Sequence, residues 1–244
     1  MKSWRSADGI EVRWYSLVDS TNDVARLWAV EGAASGSVVV ADEQTAGRGR
    51  RGAVWVCPAG EGLAFSQVLR PSMPRALWPR LALIAGLAVA KTLEKYGVAA
   101  EVKWPNDVLF DGKKMAGILV ESTDDAVIVG VGLNVNVADF PVEIADTATS
   151  LLRETGQEMD RRFLLEQLAQ SIQSHASRAE RDFPELLEQL RERCALGGKR
   201  VSLWLGNEAL MVDVMGIGAR GELLVERDGN IEALMQADQI RIIR

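Results

Sequence analysis

Asp111-Gly112 sits between two apolar stretches, Val108–Phe110 and Met115–Glu121. An Asp-Gly pair in that setting is a strong signal for a two-residue hairpin turn. A second turn at Asp124-Asp125 leads into Ala126–Val137, which reads as another strand. Successive hairpins make neighbouring strands antiparallel, so the sheet is expected to be mixed or mostly antiparallel, unlike a doubly wound parallel one. Upstream, Ile10–Tyr15, Ser37–Ala41, Leu63–Leu69 and Glu101–Trp104 also read as strands, and Ser20–Glu31 reads as a helix closed by Gly32. The most apolar run, Leu81–Ala90, is about half the ~20 residues a membrane span needs, and Arg80 and Lys91 flank it. It is therefore expected to lie in a buried helix, Pro79 to Tyr96, stopped by Gly97.

From Asp160 to Leu196 the pattern turns helical, with Phe163, Leu164, Leu168 and Ile172 as its apolar face, and a second helix runs from Pro184 to about Ala195. Gly197-Gly198 breaks it. Five short strands follow (Val201–Leu205, Ala209–Met215, Glu222–Glu226, Ile231–Met235 and Ile240–Ile243), a spacing that suggests a small barrel. The expected fold class is α+β: a mixed sheet flanked by helices over residues 1–196, and a small β-barrel domain over 197–244.

Composition narrows the chemistry. The chain carries 34 acidic and 28 basic residues, a net charge of -6, which disfavours general nucleic-acid binding. One histidine, His175, and two distant cysteines, Cys57 and Cys194, cannot form an ordinary zinc site or a disulfide framework. No signal peptide or membrane span is visible, so the expected location is the cytoplasm, where free thiols are at home. His175 is expected to be solvated on a polar helical face, and both cysteines are expected to be unreactive.

Four segments carry candidate chemistry. Gly47-Arg48-Gly49-Arg50-Arg51-Gly52 has the spacing of a dinucleotide fingerprint, but the following Ala53–Pro58 looks extended where that motif needs a helix. Its three arginines and pliable backbone suit an anion nest over a phosphate, with a solvated basic loop as the plain alternative. Lys103-Trp104-Pro105-Asn106-Asp107 ends a strand in a turn, and Lys114 then opens the apolar strand Met115–Val120. Gly117 within that strand suggests close approach of a ligand or backbone. Ser20-Thr21-Asn22-Asp23 resembles a capping box, Ser20 as N-cap and Asp23 at N3, whose small polar side chains can also read a polar ligand. Asn134 and Asn136 interrupt a strand, where asparagine is unfavourable.

Taken together, Ser20-Thr21-Asn22, Gln44–Gly52 (QTAGRGRRG), Lys103–Asp107 (KWPND), Lys114–Gly117 (KMAG), Gly132–Asn136 (GLNVN) and Thr149–Leu152 resemble the biotin protein ligases in order and rough spacing. The resemblance covers nearly the whole chain and is of the short kind that lacks an N-terminal DNA-binding domain. It implies a class II synthetase-like catalytic domain followed by an SH3-like barrel. It also implies a two-step reaction, in which biotin and Mg²⁺-ATP give biotinyl-5′-AMP and a lysine of the biotin carboxyl carrier protein of acetyl-CoA carboxylase then takes the biotinyl group.

By the same resemblance, Lys114 bridges carboxylate and phosphate, and Arg48, Arg50 and Arg51, with Gly47 and Gly49, close over biotin and adenylate. Arg50 and Asp107 join Lys114 as catalytic candidates. Ser20, Thr21, Asn22 and Gln44 contact the ureido ring, and Trp55 lies beside the adenine. Lys103, Asn106, Gly117 and Asn134 complete the binding set, and no protein metal ligand is implied. Val54 and Cys57 match no role in that pattern. A homodimer stays open, as do a lipoate-ligase-like adenylating enzyme and a non-catalytic biotin sensor. Neither nucleic acid nor membrane is an expected partner.

Overall fold

The structure is a computed structural model that describes residues 1–56 and 58–243; the expectation for Cys57 lies outside these. Its larger sheet has eight strands in the order β1-β2-β3-β4-β8-β7-β6-β5. β1 (Lys2–Arg5) and β2 (Glu11–Val18) form an antiparallel edge pair, and the sequence reading had no signal for β1. β2 passes through α1 (Thr21–Val30) to β3 (Val38–Gln44), giving the parallel pair β2–β3. β4 (Gly62–Leu69), β8 (Val127–Asn134), β7 (Lys113–Ser122), β6 (Asp107–Phe110) and β5 (Glu101–Lys103) continue the sheet antiparallel. The expected hairpins lie at β6–β7 and β7–β8, with Asp111 at φ 48° and Gly112 at φ 73° in the first turn.

Both faces of the sheet are covered, which explains why β3 reads as an unbroken apolar run. Val38 and Val40 join the main core, whereas Val39 packs with Ala25, Trp28 and Ala29 of α1 on the other face. The main core is filled by α2 (Arg80–Glu94), α4 (Arg161–Arg181) and α5 (Phe183–Glu192); α3 (Leu151–Thr155) is a short connector. α2 buries nearly all its apolar residues, and no helix of the described residues is long and apolar enough to cross a membrane.

The face of α4 is rotated by one residue from the expectation: Phe163 is 59% exposed, and Leu164, Leu165, Leu168 and Ile172 are buried. His175 is also not solvated. It lies half-buried where α4 meets α2, Nδ1 2.8 Å from the Ser171 carbonyl oxygen, and burial pushes its pKa down. Cys194 is a free thiol whose pKa burial pushes up.

The second sheet has the order β12-β11-β10-β9-β13, all antiparallel, built from β9 (Arg200–Leu205), β10 (Glu208–Ile217), β11 (Leu223–Arg227), β12 (Asn230–Leu234) and β13 (Asp238–Ile242). Its edge strands β12 and β13 do not pair, so it is an open SH3-like sheet, not a closed barrel. Trp104 donates from Nε1 to the Gly221 carbonyl at 3.0 Å and Arg80 from Nε to the Arg220 carbonyl at 3.0 Å, tying this unit to the larger sheet.

Candidate active site

Strand register builds the floor of the site. Ala41, Ala64, Gly132 and Gly117 form one row across β3, β4, β8 and β7, and Val39, Ser66, Gly130 and Leu119 form the next. Side chains alternate along strands, so these rows share the face that carries α1, and their small residues leave a trough. A Cβ at Gly130 would collide with the Asn22 amide, and one at Gly132 with the Trp55 indole. Bare backbone is therefore required at both glycines.

Over the trough lies a cleft of about 760 Å³. Its lining includes Ser20, Thr21, Asn22, Gln44, Arg48, Gly49, Arg50, Arg51, Trp55, Lys103, Asn106, Asp107, Lys114 and Gly117, so most of the residues expected from sequence converge there. Gly47 and Asn134 stand outside the lining. The Gly47 carbonyl accepts from Trp55 N–H at 2.9 Å, and Asn134 is buried with Nδ2 donating to the Thr149 carbonyl at 2.9 Å. Both brace wall segments.

One end of the cleft is neutral and polar. Thr21 N–H donates to Gln44 Oε1 at 2.8 Å, and the Thr21 hydroxyl lies 3.1 Å from the same oxygen. Ser66, fully buried, sits between Thr21 Oγ1 at 2.8 Å and Asn22 Oδ1 at 2.6 Å. Asn22 Nδ2 donates to Glu121 Oε2 at 2.6 Å.

The capping box is not formed. Ser20 is the N-cap of α1 but makes no side-chain capping bond. Asp23 instead pairs with Arg48 through two bonds of 2.7 and 2.8 Å, which holds its carboxyl below the ordinary range and raises the Arg48 guanidinium. A charge-assisted bidentate pair outweighs a local cap.

The other end is cationic. Six cations line the cleft (Arg48, Arg50, Arg51, Lys103, Lys114 and Arg241) against two carboxylates, Asp107 and Asp238. Lys114 Nζ is 2.6 Å from Asp107 Oδ1 and 5.7 Å from the centre of a Trp55 ring. Lys103 is pushed down mainly by burial, with Lys114 and Arg241 adding to the effect and Asp107 opposing it. Arg51, at φ 52°, forms an ion pair with Asp238 of β13, which fastens the Gly-Arg loop to the small C-terminal sheet.

Sequence reasoning missed Ser66, Glu121, Asp238 and Arg241. Gly130 and Gly132 carried a usable signal, since two glycines at period two in an apolar strand mark close approach to its backbone. Asp238 and Arg241 carried none.

Chemically, a bound molecule with a polar neutral head and an anionic tail would meet complementary surfaces at the two ends. Residues 14–137 match the family model for the Biotin/lipoate A/B protein ligase family. The chain is 35% identical over 243 residues to the Bifunctional ligase/repressor BirA of Bacillus subtilis, covering 94% of this chain and 74% of that protein. It is 32% identical to the Biotin--[acetyl-CoA-carboxylase] ligase of Mycobacterium tuberculosis, covering 98% and 90%. Among solved structures, the biotin protein ligase from Aquifex aeolicus in complex with biotin and ATP superposes with a TM-score of 0.85 at 33% identity, covering 96% and 98%. The chain belongs to the biotin/lipoate A/B protein ligase family.

Proposed function

We propose that this chain is an ATP-dependent biotin protein ligase, and that the two-ended cleft carries the reaction. Biotin's ureido ring takes the Thr21–Asn22–Gln44 end and its carboxylate points toward Lys114. ATP places its phosphates among Lys114, Lys103, Arg50 and Arg241. A carboxylate oxygen attacks the α-phosphorus, forming the acyl–phosphate bond as pyrophosphate leaves. Two anions must approach each other in that step, so cations fixed before reaction lower the barrier most. Lys114 is placed for this by Asp107. A Mg²⁺ ion bound with the triphosphate would supply further charge neutralisation, and Asp107, a carboxylate lining the cleft, would be the residue to hold it.

In the second step the acceptor amine attacks the carbonyl carbon, the bond to AMP breaks, and the amine proton passes to Asp107 or solvent. The Gly-Arg loop, held by Arg48–Asp23 and Arg51–Asp238, keeps water from the mixed anhydride. The acceptor is a biotin carboxyl carrier domain of acetyl-CoA carboxylase. It approaches along a groove of about 610 Å³ that meets the cleft at Arg50, Pro105 and Leu119. The edge of β7 beyond Asn106 borders that groove and suits strand addition by the carrier or a second copy. The catalytic unit is taken to run to Leu196, with the small domain from Gly197.

A lipoate ligase needs the same cations, but its dithiolane head would offer no polar partner to buried Thr21 and Asn22 or to half-buried Gln44, which disfavours it strongly. The test is biotin-dependent release of pyrophosphate from ATP, with lipoate as comparison. Release with biotin supports the reading, and release with lipoate alone would reverse it.

A further inference from the structure

The hydrogen bonds behind the neutral end of the cleft have a direction, and one residue sets it. Glu121, on β7, belongs to none of the motifs and does not line the cleft. Its carboxylate can only accept, so the Asn22 amide must present Nδ2 to it, at 2.6 Å. Asn22 Oδ1 then faces Ser66 Oγ at 2.6 Å, and an amide oxygen also only accepts, so the single Ser66 proton goes to Asn22. The Ser66 and Thr21 hydroxyl oxygens are 2.8 Å apart, leaving Thr21 as the donor between them. Gln44 offers Thr21 a second acceptor, because backbone N–H of Thr21 already fixes Gln44 Oε1 toward it at 2.8 Å. Whichever partner takes it, the Thr21 proton is used inside the protein.

We propose that Glu121 is a positioning residue which, through Asn22 and Ser66, makes the Thr21 hydroxyl an acceptor toward the cleft. The end of the cleft thereby selects a ring N–H. This rests on the biotin reading and deepens it: a ureido N–H pairs with Thr21, whereas a ring oxygen there would face lone pair against lone pair. Without the carboxylate, Asn22 is free to turn over, Ser66 can donate to Thr21, and Thr21 can donate outward. Asn22 packs against Gly130, and both Asn22 and Ser66 are buried.

The test is equilibrium binding of biotin and of its two carbamate analogues, in each of which one ureido N–H is replaced by ring oxygen. Wild type is expected to bind at least one carbamate about 10- to 100-fold more weakly than biotin, the usual consequence of an unmatched buried acceptor. Glu121→Met keeps the side-chain length without an acceptor and should compress that ratio to within about threefold. Glu121 Oε2 also lies 3.8 Å from Arg48 Nη2, so the readout is the ratio between ligands, which a general loosening of the Gly-Arg loop would leave unchanged by lowering all affinities together. Glu121→Gln keeps an acceptor but adds a donor, so its ratio should fall between the two; if the methionine variant does not fold, this variant carries the test. A wild-type ratio in both variants would overturn the role of Glu121 while leaving biotin binding standing. Failure of wild type to bind biotin at all would overturn both that reading and the polarity assignment.

Discussion

Lys114→Ala should remove most of the rate of adenylate formation. Lys114 Nζ stands 2.6 Å from Asp107 in the cationic end of the cleft. Two unit charges about 4 Å apart in surroundings of effective dielectric about 20 interact by ~4 kcal/mol. The Lys114 side chain is 37% exposed, so solvent screening reduces this, and Asp107 offsets part of its field. A loss of roughly 3 kcal/mol of transition-state stabilisation remains, or about 10²-fold in rate, with 10³-fold as the upper end for one preorganised donor. The assay is single-turnover, biotin-dependent pyrophosphate release, which keeps product release from hiding the chemical step. Lys114→Arg should recover part of the rate because charge returns with a different shape. Asp107→Asn should cost about tenfold, and the double variant with Lys114→Ala should cost little beyond Lys114→Ala alone, because the two act as a pair. A folded Lys114→Ala protein within about threefold of wild type would refute the reasoning.

Other consequences of the same geometry can be measured separately. Gly132→Ala places a Cβ inside 3.0 Å of the Trp55 indole, so Trp55 must move; ATP binding should weaken about tenfold, for an overpacking cost of about 1–3 kcal/mol, and unchanged affinity would show that Trp55 is free to relocate. Asp238→Ala releases Arg51, so trypsin should cut after Arg50 and Arg51 several-fold faster, with biotin and ATP restoring protection; an unchanged cleavage rate would remove the small sheet from loop fastening. Arg48 holds the Asp23 carboxyl below its ordinary value, so their stabilisation is fully present above about pH 4 and disappears as pH falls through the lowered folded value. The pair is partly exposed and stabilises by no more than about 1 kcal/mol. The melting difference between wild type and Asp23→Asn should therefore be at most about 2–4 °C, flat from pH 8 to 5, and lost below about pH 4; a difference that grew on acidification would contradict the assigned sign.

What the sequence made legible was local, and what it hid was long-range. Asp111-Gly112 fixed a turn that depends only on its own backbone preferences, and the β-branched run of β3 needed no partner to be recognised. The capping box at Ser20 failed because Asp23 is drawn to Arg48, 25 residues away. Phe163 and His175 were misplaced for a related reason: periodicity finds a helix but not its phase, and the packing of α4 on α2 decides which side chains are covered. Within the cleft, the charged and small polar residues announced themselves by type and spacing. Ser66 and Glu121 did not, because a serine and a glutamate inside strands are unremarkable until the sheet brings them 44 and 99 residues back to Asn22. Asp238 and Arg241 sit in a separate sheet, and only the tertiary arrangement carries them to the Gly-Arg loop.

The central claim is transfer of an activated biotinyl group to a carrier lysine. It is tested most directly by incubating the protein with ATP, labelled biotin and an apo biotin carboxyl carrier domain, and reading the carrier by intact mass and peptide mapping. The account predicts a single biotinyl addition at one lysine, dependent on ATP, with one AMP released per transfer and none of it when that lysine is replaced by arginine. A folded protein that binds biotin and ATP yet leaves the carrier unmodified would contradict it.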